Sequence, residues 1–168
     1  RAARGKVKVE CLAAIGRGPR ERMEAQAARI LTLHKEKLIC GVCIAGEESL
    51  CDIASIKDLM AGFKDSGMGI EIHAGEWCGP ESVRDALDNG KPDRLGHAIA
   101  AFSDRELIDR IQQEDIHLEF CPTSNLIFGA VKRLEDHPIR RARELGMNFS
   151  INTDDPGMFR TTLTREFE

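Results

Sequence analysis

The chain has 168 residues, 42% of them hydrophobic and 31% charged, and its 24 Lys and Arg against 28 Asp and Glu give a formal net charge of -4. That size suits one buried core, and with no low-complexity tract a single globular domain over 1–168 is expected and disorder is not. The one basic run, Arg140, Arg141 and Arg143, is short, and no apolar stretch approaches the roughly 20 residues of a bilayer span, so neither nucleic acid nor a membrane is expected as a partner.

Short apolar runs rich in β-formers alternate along the chain with longer amphipathic stretches, the pattern of βα units around a parallel sheet. VKVECLAAI (Val7 to Ile15) reads as the first strand, and Glu21 to Leu33 as a helix with Met23, Ala27, Ile30 and Leu31 at helical spacing. LICGVCIA (Leu38 to Ala45) is a strand apolar enough to be buried on both faces, followed by a helix over Ile56 to Lys64. GIEIHAGE, from Gly69, precedes a helix opened by Pro80 and running to Leu87. DRLGHAIA (Asp93 to Ala100) holds a short strand, and Ser103 is the expected N-cap, with Glu106 three residues on, of a helix ending near Gln113. HLEFCPTSN (His117 to Asn125) is a fifth strand with its exit loop, Pro138 to Leu145 a further helix, and NFSINTDDP (Asn148 to Pro156) the sixth strand. Six units fall short of the eight of a (β/α)8 barrel, which takes about 250 residues. The expected fold is therefore α/β, an incomplete TIM-type barrel, with a doubly wound open sheet as the competing architecture. The absence of an initial Met and the final REFE suggest that both ends are cut.

Six cysteines (Cys11, Cys40, Cys43, Cys51, Cys78, Cys121) lie mostly in or beside apolar runs, where a free thiol acts as a small hydrophobe. This points to a reducing, cytoplasmic setting. Cys40 and Cys43 form a CxxC with no second copy, and on a strand they would face opposite ways, so no zinc or redox role is expected of them.

The strand ends carry the polar residues: Gly46-Glu47, His73 with Glu76, His97, Cys121 to Asn125, and Asn152 with Asp154-Asp155. In (β/α) barrels that face holds the active site. In HAGE, small residues allow a sharp turn that returns Glu76 toward His73, suiting a metal-binding imidazole beside a proton-carrying carboxylate. Alone, it fits a core histidine beside a solvated glutamate as well. In NTDDP two adjacent carboxylates need a cation or a donor nearby, and strand alternation would point them apart; a plain Asp-Asp-Pro-Gly turn is the other reading. His97 follows Gly96, expected to relieve crowding beside it, and alone could be a satisfied core histidine. His34, His117 and His137 suggest no function. Together the strand-end groups suggest metal-assisted hydrolysis.

The ordered motifs HAGE, LGHA, CPTSN and SINTDDP, together with AGEE after the second strand, closely resemble the adenosine deaminase family over essentially the whole chain. The resemblance implies zinc-dependent hydrolytic deamination of a 6-aminopurine nucleoside, adenosine or deoxyadenosine. It implies His73 and Asp154 as zinc ligands and Glu76 as the proton donor to the ring nitrogen beside the attacked carbon. By the same resemblance His97 would orient and deprotonate the water that attacks C6, displacing ammonia. Asp155 would bond the purine N7, and the Gly46 backbone N–H would contact the ring at N3. The sequence departs from the family in having no His-x-His, the source of two further zinc ligands, in Cys43 where an aspartate is common, and in Ala98 where a glycine is usual. The alternatives are a deaminase of adenine, AMP, methylthioadenosine or aminofutalosine, and a non-catalytic barrel relative. A two-metal amidohydrolase is disfavoured, because no lysine ends the third or fourth strand.

Overall fold

The structure is a computed structural model, and it describes residues 8–168. Six strands are joined by helices: β1 (Leu12–Gly16), α1 (Arg20–Lys35), β2 (Gly41–Ala45), α2 (Lys57–Asp65), β3 (Gly69–Ala74), α3 (Pro80–Asp85), β4 (Arg94–His97) and α4 (Arg105–Gln113). They continue with β5 (His117–Phe120), α5 (Pro122–Ile127), α6 (Ile139–Glu144), β6 (Phe149–Ile151), α7 (Pro156–Phe159) and α8 (Leu163–Glu166).

All strand pairs are parallel, in the order β1-β2-β3-β4-β5-β6. A doubly wound sheet reverses its strand order at a switch point. None occurs here, so the open-sheet alternative falls and the sheet is part of a barrel wall. Among the described residues no helix is long and apolar enough to cross a membrane.

Strand alternation sorts the residues onto two faces. The row Ile44, Ile72, Leu95, Leu118 is fully buried, and with Met23, Met60, Phe63, Leu87, Ile108 and Ile111 of the surrounding helices it forms the core. The other face carries two registered rows, Cys43–Glu71–Arg94–His117 and His73–Gly96–Glu119–Ser150. Barrel interiors are ordinarily filled by branched apolar side chains. This one is lined with ionisable groups.

Several boundaries differ from expectation for physical reasons. β1 begins at Leu12 rather than Val7, which lies outside the described residues, and β2 begins at Gly41 because Leu38, 61% exposed, sits beyond the sheet. The α4 N-cap is Asp104, not Ser103: its carboxylate accepts from the N–H groups of Glu106 and Leu107. CPTSN is not a loop, because Pro122 opens α5. Cys40 is exposed and Cys43 buried, and all six cysteines are free.

Candidate active site

The C-terminal strand ends enclose a cleft of about 230 Å³ lined by Glu71, His73, His97, Glu119, Cys121 and Asp154, among others. His73 points into it from the inner face of β3. His97 ends β4 in register with Ala74, an outward position by alternation. Left-handed backbone at His97 (φ 64) and Ala98 (φ 53) turns its ring inward instead, edge to face with His73 at 4.6 Å between centroids. Such conformations are costly for residues with a Cβ and gather at functional sites. A glycine at position 98 would enter this conformation freely.

Glycines serve this site by close approach. A Cβ on Gly96 would come within 2.6 Å of His73 Cδ2, so Gly96 makes room for His73, not for His97 as expected. Gly75 has φ 74, and a Cβ there would meet Val83 Cγ2 at 2.6 Å. The HAGE turn is held from below by Glu48, 5% exposed. Its carboxylate accepts from the N–H groups of Gly75 (2.8 Å), Glu76 (2.8 Å) and Trp77 (3.1 Å).

The Glu76 carboxyl, 5% exposed, lies 3.4 Å from His97 Nε2. Burial, with the negative charge of Asp154, pushes its pKa up to about 7. Burial, with repulsion from His73, pulls His97 down to about 3, which keeps the ring neutral. Glu71 Oε1 is 3.5 Å from His73 Nε2. Burial alone would lower the His73 pKa, but the hydrogen bond and charge of Glu71 win and raise it. Glu119 is pushed up by burial and by Glu71, while Arg94 bonds it at 2.6 Å from the open end.

Asp154 has left the strand, which ends at Ile151, and stands in left-handed backbone (φ 55) with Oδ2 accepting from the buried Ser124 hydroxyl at 2.7 Å. Strand alternation therefore does not separate the two aspartates. They diverge because Asp155 caps α7, its Oδ1 accepting from Met158 N–H at 3.2 Å. Of the six site residues expected, His73, His97 and Asp154 line the cleft, and Glu76 lies against His73 and His97 without being one of its lining residues. Gly46, with φ 85 at the end of β2, and Asp155 are not among the residues lining the cleft.

Ligand atoms of His73, Glu76 and His97 lie within 4.8 Å of one another, as do those of His97, Cys121 and Asp154, and those of Cys43, Glu71 and His73. Imidazole and carboxylate suit zinc; His73 and Asp154 fall in different groups of these three, with His97 common to the two groups that hold them. Cys121 and Cys43 are thiols that burial pushes up and keeps protonated, and a thiolate is what metals bind. Sequence reasoning missed Glu48 and Glu71, gave Ser124 and Asn125 no role beyond their place in the strand-end set, and set His137 aside. His137 is 6% exposed and bonds Asn125, which in turn bonds both Glu76 and His97.

Residues 2–168 match the sequence profile of the family described as adenosine deaminase. An adenine deaminase of Sinorhizobium medicae is 37% identical over 143 residues, 85% of this chain and 44% of the relative. The crystal structure of an adenine deaminase from Arthrobacter aurescens superposes with a TM-score of 0.82 at 28% identity, over 93% of this chain and 47% of that one. An N6-methyl-AMP deaminase from Arabidopsis thaliana gives a TM-score of 0.83 at 25% identity, over 94% and 46%. The chain thus spans less than half the length of these relatives. On the profile match and the motifs now placed around one cleft, the chain belongs to the adenosine deaminase family.

Proposed function

We propose that this chain supplies the acid-base half of a metal-dependent deaminase in which water replaces the exocyclic amine of a 6-aminopurine and ammonia leaves. The observation that carries the reading is that Glu76, at a pKa of about 7, lies against His73 and His97, which with Asp154 line one cleft. An acid titrating near the working pH is efficient in both directions of proton transfer.

In this reading Glu76 protonates the ring nitrogen beside C6, which draws electrons from that carbon and opens it to attack. His97 orients the attacking water. His73 and Asp154 hold the zinc, which when bound supplies Lewis-acid activation of water. The roles of Asp155 at N7 and Gly46 at N3 remain proposals, and Asp155 would have to release its cap on α7 to reach a ligand.

The sequence favours a nucleoside, adenosine or deoxyadenosine. The relatives' names favour free adenine, and adenine is the substrate we place first. The experiment is to express the complete reading frame containing this chain with zinc and follow ammonia release from adenine, adenosine, AMP and aminofutalosine, with Glu76→Gln alongside. Turnover of one of these, lost in the variant, supports the reaction and names the substrate. Zinc bound without turnover of any of them sinks the reading and leaves a binding protein.

A further inference from the structure

We infer that Asn125 and His137 are positioning residues that hold His97 in its Nε2–H tautomer, so that His97 meets the reacting atoms as a hydrogen-bond donor and not as a proton acceptor. Only the use of that donor rests on the deaminase reading. The tautomer follows from a chain of bonds that begins at the backbone.

Ile139 opens α6, where N–H groups lack partners within the helix. Pro138 before it has no N–H. The Ile139 N–H lies 3.3 Å from His137 Nδ1, which must accept and so carries no proton. The His137 proton is therefore on Nε2, and it is donated to Asn125 Oδ1 at 3.2 Å.

That bond settles which end of the Asn125 amide points which way. Its Nδ2 hydrogens go to His97 Nδ1 at 3.0 Å and to Glu76 Oε1 at 3.1 Å. Turning the amide over would set its NH₂ against the His137 Nε2–H, two donors in contact. An amide NH₂ cannot accept, so His97 Nδ1 accepts, and the single ring proton sits on Nε2, 3.4 Å from Glu76 Oε2. Asn125 is 0%, His97 2% and His137 6% exposed. Water cannot replace a partner inside this network, so each bond constrains the next.

A nitrogen that already bears a proton cannot take one from water. His97 instead offers a fixed N–H to the oxygen that adds to C6, an electrostatic role aimed at charge that develops during reaction, and the proton that oxygen sheds passes to Glu76 once its carboxyl has given its own to the ring nitrogen. This revises the deprotonating role implied by the family resemblance.

The direct test is the tautomer itself. With this chain labelled with ¹⁵N at its five histidines, long-range ¹H–¹⁵N spectra report each ring, and His97→Gln identifies the signal of His97. The wild type should show Nε2–H at His97. Asn125→Asp, whose carboxylate can only accept, should move that proton to Nδ1. His137→Gln, which can still donate an N–H to Asn125, should keep the wild-type pattern, while His137→Leu should lose it. A proton on Nδ1 of His97 in the wild type, alone or beside one on Nε2, overturns the proposal, as does an unchanged pattern in folded His137→Leu. If Asn125→Asp fails to fold, the wild type and the His137 pair decide. In the complete protein, His137→Leu should lower kcat on the order of 10²-fold with little change in KM, and His137→Gln should restore it. Unchanged kcat in His137→Leu overturns the positioning role. Absence of turnover even in the wild type would instead sink the deaminase reading and leave the tautomer result standing.

Discussion

The His73 ring packs against Gly96 of the neighbouring strand, so close that a single added methyl would sit 2.6 Å from Cδ2 and 3.1 Å from Nε2. Because the ring is wedged between Gly96 and His97, it cannot yield without losing its aim into the cleft. Gly96→Ala should therefore destabilise the chain by about 1–3 kcal/mol, the usual cost of overpacking. It should also weaken zinc binding in the complete protein about 10- to 100-fold, as when the orientation of a metal-ligating histidine is disturbed. Urea unfolding and competitive zinc titration read the two effects, and unchanged zinc affinity would remove His73 from the ligand set.

Glu48 is the second lever on the site. Three backbone N–H groups converge on its buried carboxylate, and bonds to a charged acceptor contribute about 1.5–3 kcal/mol each. Glu48→Gln keeps the shape but turns an NH₂ toward at least one of those donors. A loss of roughly 2–4 kcal/mol in urea unfolding is expected. Turnover in the complete protein should fall further than the unfolded fraction explains, since the turn that presents Glu76 loosens with it. A variant as stable and active as the wild type would show that the HAGE turn holds itself.

The raised pKa of Glu76 makes stability depend on pH. Unfolded, the carboxyl titrates near 4.5; in the folded, metal-free chain it titrates near 7. Below pH 4.5 it is protonated in both states and costs nothing. As pH rises toward 7 the unfolded chain ionises first, so the folded state is progressively disfavoured, by about 2 kcal/mol once screening at the open mouth is allowed for. Glu76→Gln should flatten this dependence and be the more stable protein above pH 7, by urea unfolding across pH 4–8. A parallel pH slope in both proteins would mean that the carboxyl is not held near neutrality.

How much of this could be read from the sequence depended on how local each signal was. His73, Glu76, His97 and Asp154 were legible because apolar runs mark the strands and each residue stands just past one. The relations between them were not, because they lie in register and depth. Nothing near Gly96 in the sequence says that its cross-strand partner is His73. Glu48 follows an equally acidic, exposed Glu47, and only the fold tells them apart. His137 read as a loop residue before proline, yet it is buried against Phe120, with ring centroids 5.2 Å apart, and joined through Asn125 to the histidine that ends β4. Strand order, which rejects the open sheet, is likewise a property of pairing and leaves no trace in the periodicity.

Zinc binding by this chain alone is the last prediction. A catalytic zinc site wants at least three protein ligands, and the proposed pair, His73 and Asp154, falls one short and shares none of the close ligand groups. His97 has its Nδ1 committed to Asn125, and Cys43 and Cys121 would each have to give up a tightly held proton in a buried place. Glu71, 3.5 Å from His73 Nε2, is the remaining candidate, but it shares its surroundings with Glu119. The expected outcome is well under one zinc per chain after dialysis, rising to one when the complete protein is prepared in the same way. One tightly held zinc in this chain would bring Glu71 or a thiolate into the ligand set. Glu71→Gln and Cys121→Ser would tell those two apart, since only the variant lacking a true ligand would lose the metal.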